Sequence, residues 1–280
     1  MLNWLGKLRQ AGKTVSLASE TVFDQYELRC PDHQNAIDAL PGWSSAFPEH
    51  LNLRAGIHPL FADTRITWAL EQFGSIEDKT ILEVGPLEGM HTYMLNAMRP
   101  LRVDAVEANR LCFLRCLVAR EILGIDRARF LLGDIQSWLD GGGEVYDLAV
   151  ASGVLYHMAD PAGFLKKIAA RANAIYIWSH YFDDVAMPAD DVRRMPFSGK
   201  VEIKMIDGAS VRYYERSYNH ANSHPSFCGG MKDRHFWLHR DDILLLLNKF
   251  GYDEILIQSD EPHHSGGPCF SLLAMRRQLR

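Results

Sequence analysis

The sequence predicts an α/β protein, a seven-stranded, mostly parallel sheet with a helical cap before it and a β-hairpin inserted late in the chain. Three observations carry this. Short apolar runs alternate with amphipathic segments over roughly 100 residues, the pattern of parallel strands joined by crossover helices. A turn bearing two glycines follows the first of these runs, and three consecutive runs finish at an acidic residue.

Residues 1–74 read as a helical lid or oligomer-contact segment. Leu2, Leu5 and Leu8 form a weak helical stripe, and Asp32 is placed to cap a short helix through Ile37 to Leu40, which Pro41-Gly42 ends. A second helix is expected from Pro59 to Phe73, with Leu60, Ile66, Trp68, Ala69 and Leu70 as core contacts and Gly74 just past its end. Trp43, Phe47, His58 and Phe61 lie in or beside the connecting stretch. Such an aromatic segment either closes over a ligand or packs into a core, and packing is the commoner role.

From Thr80 the chain reads strand, glycine loop, helix: Thr-Ile-Leu-Glu-Val, then Gly85 and Gly89, then an amphipathic segment from Met90 to Met98. The two glycines let the backbone approach a ligand across the strand end, and Glu83 adds a carboxylate beside it. Their spacing is not the Gly-x-Gly-x-x-Gly that admits a pyrophosphate to a helix N-terminus. An acid followed by Gly-x-x-x-Gly suits a ligand with an amine. The bland alternative is an ordinary strand-to-helix turn.

Leu101 to Val106 reads as the second strand, terminated by Glu107, where α/β nucleotide sites set a carboxylate on ribose hydroxyls. Asn109 caps a helix from Arg110 to Leu123, which Gly124 ends. Arg129 to Leu132 is the third strand and finishes in Gly133-Asp134-Ile135. That trio suits an adenine amino group and ring face, while Asp134 alone reads equally well as the cap of a helix from Ile135 to Leu139. After Gly141-Gly142-Gly143, Tyr146 to Ala151 is the fourth strand. It delivers Ser152 to Pro161, where Asp160-Pro161 starts a helix that buries Phe164, Leu165 and Ile168. Ala174 to Trp178 is the fifth strand. Lys200 to Met205 and Ala209 to Tyr214 alternate around Asp207-Gly208, a hairpin signal. Arg240 to Phe250 reads as a helix, and Glu254 to Gln258 with Cys269 to Met275 as a closing strand pair.

At 280 residues the chain is long enough for one α/β domain with appendages, and its formal charge of −5 argues against a nucleic-acid partner. Five scattered cysteines without a Cys-x-x-Cys read as reduced thiols, Cys112 and Cys116 among them on a helix. With no long apolar run, the expectation is a cytoplasmic protein with no membrane partner. His220, His224, Cys228, His235 and His239 are closely spaced, but Pro225 and Gly229-Gly230 argue against one helix presenting them all, so no metal is expected.

Glu83 to Gly89, Glu107, Gly133-Asp134 and Ser152 to Pro161 resemble, in order, the successive motifs of class I S-adenosylmethionine methyltransferases, over residues 78–180. The resemblance implies a Rossmann-like domain over residues 75–280, a substrate-recognition insert at 181–238, and S-adenosyl-L-methionine as cofactor. By motif position Glu83, Gly85 and Gly89 take the methionyl end, Glu107 the ribose, and Asp134 with Ile135 the adenine. Pro86, Ala108, Asn109, Ser152, Gly153 and Tyr156 complete the expected cofactor set. His157 and His180, near strand ends facing the crevice, are the candidate bases, a structural or substrate-contact role being the alternative for each. The implied reaction is methyl transfer to a small molecule or saccharide, an O-methylation. Gly153 to His157 is similar to the corresponding segment of tRNA wobble-uridine carboxymethyl transferases, which makes tRNA carboxymethyl or methyl transfer the alternative. A non-catalytic cofactor-binding scaffold is a third reading. Arg193, Arg194, Arg212, Arg216 and Arg234 are candidates to bind an acidic substrate or, as is more usual, to lie solvated at the surface.

Overall fold

A computed structural model describes residues 26–221 and 229–277, so Leu2, Leu5, Leu8, His224 and Cys228 lie outside the described residues. Five parallel strands form the centre: β1 (Thr80–Val84), β2 (Arg102–Glu107), β3 (Ala128–Leu132), β4 (Tyr146–Ser152) and β5 (Ala172–His180). Two more, β9 (Glu254–Glu261) and β10 (Cys269–Met275), complete a seven-stranded sheet in the order β3-β2-β1-β4-β5-β10-β9, with β10 antiparallel to both neighbours. Chain order reverses between β1 and β4, the position where open α/β sheets leave a crevice at the strand ends.

The strands are apolar on both faces because both faces are covered. Leu82, Ala149, Ile175 and Leu272 look to one side and pack with α6 (Pro161–Ala169) and α7 (Arg240–Lys249), through Phe164, Leu165, Ile243 and Leu246. Ile81, Leu148, Ala174 and Leu273 look to the other, where they meet Ile66 and Ala69 of α2 (Thr64–Phe73), Leu95 of α3 (Met90–Ala97) and Cys116 of α4 (Arg110–Leu123). Helix α4 has the expected bounds, capped by the Asn109 side chain on the Leu111 and Cys112 N–H groups and ended by Gly124 in the left-handed region. Cys112, Cys116 and Cys269 are buried free thiols and Cys30 an exposed one.

Two expectations need correction. The helix foreseen from Pro59 to Phe73 is a 3₁₀ turn at Leu60–Ala62 and then α2, because Asp63 leaves helical geometry to cap the Arg65 N–H at 2.9 Å. Asp63 also takes His91 Nε2 of α3 at 2.9 Å, so the break ties two helices together. The inserted hairpin forms, as β6 (Phe197–Ile206) and β7 (Ala209–Ser217), but a third strand, β8 (Arg234–Leu238), pairs with β7. Its five residues were too short a run to stand out between two polar flanks.

The insert sheet is pinned by Tyr213 Oη on Asp160 at 2.7 Å and by Arg212 on Asp242 of α7 at 2.7 and 2.9 Å. One face of it joins the main core through Val211, Tyr213, Phe236 and Leu238. The other carries Tyr214, Arg216, His235 and Trp237, residues paired across β7 and β8.

The segment before the sheet contains α1 (His33–Asp38), capped by Asp32. It is held to the glycine loop by Glu88, a buried carboxylate that accepts the Ser44 and Ser45 N–H groups at 2.8 and 2.6 Å and Nη1 of Arg115 at 3.3 Å. Arg115 also donates to the Pro41 carbonyl. Glu88→Ala leaves two N–H groups and a buried guanidinium without this acceptor. Urea denaturation should show a loss of about 3–5 kcal/mol, with faster proteolysis between residues 43 and 58; an unchanged midpoint would mean that the anchor is elsewhere.

Candidate functional site

A cavity of about 390 Å³ opens at the C-terminal ends of β3, β2, β1 and β4. β1 and β2 contribute their last residues and β3 and β4 the residues that follow them, because the chain must turn there and its polar groups become free to face a ligand. Gly85 leaves β1 with φ of 64°, its N–H on the Val106 carbonyl at 2.9 Å, and a Cβ built there would lie 3.4 Å from Val154 on the opposite wall. Glycine therefore keeps the cradle open as well as allowing the turn. Gly89, at φ of 79°, is close to α4's layer instead: a Cβ there would press on the Phe130 ring at 3.2 Å.

Glu107 is buried at the end of β2, and its oxygens accept the Leu87 N–H at 3.2 Å and the Asn109 N–H at 2.7 Å. Burial raises its pKa, and these backbone donors oppose that. Leu87 meanwhile adopts φ of 58°, a conformation that a side chain rarely takes. Asp134 caps α5 (Ile135–Asp140) through the Gln136 N–H at 3.0 Å and also lines the cavity beside Ile135.

Of the expected cofactor residues, Gly85, Glu107, Ala108, Asp134 and Ile135 line the cavity, as does His157. Glu83, Pro86, Gly89, Asn109, Ser152, Gly153 and Tyr156 do not, and neither does His180. Glu83 is buried behind the loop, accepting Thr92 Oγ1 at 2.5 Å, and burial raises its pKa. Val154, Met158 and the Gly229–Lys232 stretch also form the wall. Residues 229–232 carry no motif, and only the fold of the insert brings them over the strand ends.

Beyond His157 lies an aromatic cluster. Tyr156 is 4.1 Å from His157, 4.7 Å from His180 and 6.1 Å from Trp237, ring centre to ring centre. His180 stacks flat on Trp237 at 4.9 Å, with Nδ1 on the Gly267 and Pro268 carbonyls at 2.9 and 3.2 Å. His157 Nδ1 meets Tyr218 Oη, and Tyr218 stacks on His235 at 4.0 Å. Burial lowers the pKa of His157 to about 3 and those of His180 and His235 to about 4, so all three imidazoles are neutral at pH 7.

Of the closely spaced histidines, His235 falls on β8 and His239 at the cap of α7, not on one helix. His180, His264 and Cys269 bring one ligand atom each within 4.8 Å of one another. There the Cys269 thiol is pushed up to about 11 by burial and His180 Nδ1 is already committed to carbonyls, so the trio reads as packing. Among the described residues, no helix is long and apolar enough to cross a membrane.

No protein-family model matches the sequence, and no curated protein matches it. Solved structures do. The N-terminal domain of EvdMO1, crystallised in the presence of SAH and D-fucose, has a TM-score of 0.66 at 22% identity, over 87% of this chain and 95% of that one. Full-length EvdMO1 gives 0.58 at 20% identity, over 87% of this chain and 47% of that one. The bifunctional kinase-methyltransferase WbdD gives 0.55 at 13% identity, over 89% and 47%. This chain thus spans about half of each of those longer proteins. With the β3-β2-β1-β4-β5-β10-β9 order, the reversed β10 and a glycine loop at the switch point, the chain has the fold of the class I S-adenosylmethionine-dependent methyltransferases.

Proposed function

We propose that the protein is an enzyme that transfers a methyl group from S-adenosyl-L-methionine to a hydroxyl of a small molecule or saccharide. The observation that carries this is the cavity over the ends of β1 to β4, whose donor set suits this cofactor: a glycine cradle, a buried carboxylate able to take the ribose hydroxyls, and an acid with an apolar neighbour able to take the adenine. The D-fucose in the EvdMO1 crystals favours a saccharide acceptor.

When bound, the cofactor supplies an electrophilic methyl on a sulfonium, so the chain's own task is to position and deprotonate the acceptor. Gly85 admits the ligand backbone-close, Glu107 accepts from hydroxyls, and Asp134 accepts from an amino group. The three-stranded insert closes the acceptor side, its Trp237 face turned to Tyr156 and His180. His157 lines the cavity. In the tautomer that donates Nδ1–H to Tyr218 Oη, its Nε2 holds the lone pair that a hydroxyl proton needs. His180, committed through Nδ1 and stacked on Trp237, is a wall residue.

The test is transfer of labelled methyl to a panel of saccharides, with no label reaching tRNA. Glu107→Gln should weaken binding of S-adenosylhomocysteine by about 1–3 kcal/mol, the scale of a lost hydrogen bond to a charged group, measured by calorimetry; an unchanged affinity would remove Glu107 from the site. Because burial, with Arg216, His180 and His235 nearby, keeps His157 neutral down to a pKa of about 3, kcat/KM should hold between pH 8 and 5. A base with an ordinary imidazole pKa would instead lose about thirtyfold over that range, and such a limb near pH 6.5 would exclude this His157 as base.

A further inference from the structure

The five arginines that the sequence offers as ligands for an acidic substrate part company in the structure. Arg193 pairs with Asp191 at 2.6 Å, Arg194 with Asp184 at 2.7 Å, Arg212 with Asp242 at 2.7 Å, and Arg234 with Glu202 and Glu215. Arg216 has no carboxylate partner among the described residues, although it is mostly withdrawn from water between β6 and β8. Its Nε–H is buried and, among the described residues, has no acceptor. A guanidinium cannot shed its charge to escape burial, and burying one without a counter-charge costs several kcal/mol.

What surrounds Arg216 manages the charge without cancelling it. Its carbon Cζ lies 4.9 Å from the centre of the Trp237 ring, and Nη1 donates to His235 Nε2 at 3.3 Å. That contact fixes the tautomer, since His235 Nδ1–H is given to the Asp233 carbonyl at 2.9 Å. Trp237 is itself 1% exposed, and its Nε1–H also lacks an acceptor among the described residues. Two buried donors without acceptors thus share one aromatic cluster. His235 is 6.5 Å from His157, ring to ring, and His157 is on the cavity wall.

Resting on the methyl-transfer reading, we infer that the acceptor carries an acidic group, a carboxylate or a phosphate, which Arg216 binds with help from the Trp237 N–H. The anion supplies the charge and the lone pairs that the protein withholds, to two buried donors whose withdrawal from water strengthens a charge-assisted hydrogen bond. Arg216 is then what distinguishes an acidic acceptor from its neutral analogue. Bringing an anion to this cluster also eases the formation of an imidazolium at His157, which Arg216 otherwise opposes.

The experiment titrates the full chain, with and without saturating S-adenosylhomocysteine, using glucose, glucuronate and glucose 6-phosphate, read by calorimetry and tryptophan fluorescence. At least one acid should bind about tenfold or more tighter than glucose, and Arg216→Gln should remove that preference while changing the affinity for S-adenosylhomocysteine less than about twofold. Preference for glucuronate assigns the group as a carboxylate, and preference for the phosphate as a phosphate. Saturable binding of neither acid, equal affinity for glucose and the acids, or acid binding unchanged in Arg216→Gln overturns the inference. The wild-type comparison stands by itself should the variant fail to fold. S-adenosylhomocysteine is titrated separately: its failure to bind sinks the methyl-transfer reading, whereas lost acid preference with that binding intact sinks only the anion subsite.

Discussion

The Glu107 carboxylate organises the site. One oxygen holds the Leu87 N–H and the other the Asn109 N–H, so a single buried acid joins the glycine loop to the first turn of α4. Leu87 is kept in a left-handed conformation within that loop, and Gly85 leaves β1 in the same region. Without the acid those N–H groups would face the cavity unanswered, and the loop would lose what sets its distance from β2. The same carboxylate, with Asp134 and Asp160, gives the cavity its acidic lining. Glu88, one residue on from Leu87, faces away and fixes residues 44 and 45, so the loop is anchored on both sides.

The cluster beyond His157 has the opposite electrostatic character. Three neutral imidazoles and a guanidinium with no carboxylate partner among the described residues stand where the insert sheet meets the ends of β4 and β5. Burial keeps the histidines neutral, and the guanidinium reinforces this at each of them. Glu107, Asp134 and Asp160 line the cavity, and the cluster that carries Arg216 begins on the far side of His157, whose ring is 6.5 Å from that of His235.

Much of the sheet was legible because it is written locally. Apolar runs that become strands of five to nine residues, Asn109 and Gly124 bounding α4, and Asp160-Pro161 opening α6 each act within a turn of chain. The acids at or beside the ends of the first three strands, Glu83, Glu107 and Asp134, were legible by position. What escaped was long-range. Glu88 looks like a surface acid in the loop sequence, and only the approach of Ser44 and Ser45, more than 40 residues earlier, makes it a buried anchor. Asp63 was read as an interior residue of a helix because nothing nearby shows that His91 will meet it. Residues 229–232 enter the cavity wall through the pairing of β7 with β8. The arginines were indistinguishable in sequence, since whether one is paired depends on acids from other elements, as with Asp242 on α7 for Arg212.

The central claim is that the cavity at the strand ends takes S-adenosylmethionine and not a dinucleotide. Calorimetric titration of the full chain with S-adenosylhomocysteine and, separately, with NAD tests it most directly. The account predicts saturable one-to-one binding of S-adenosylhomocysteine with no heat from NAD. Tight binding of NAD with no response to S-adenosylhomocysteine would contradict it.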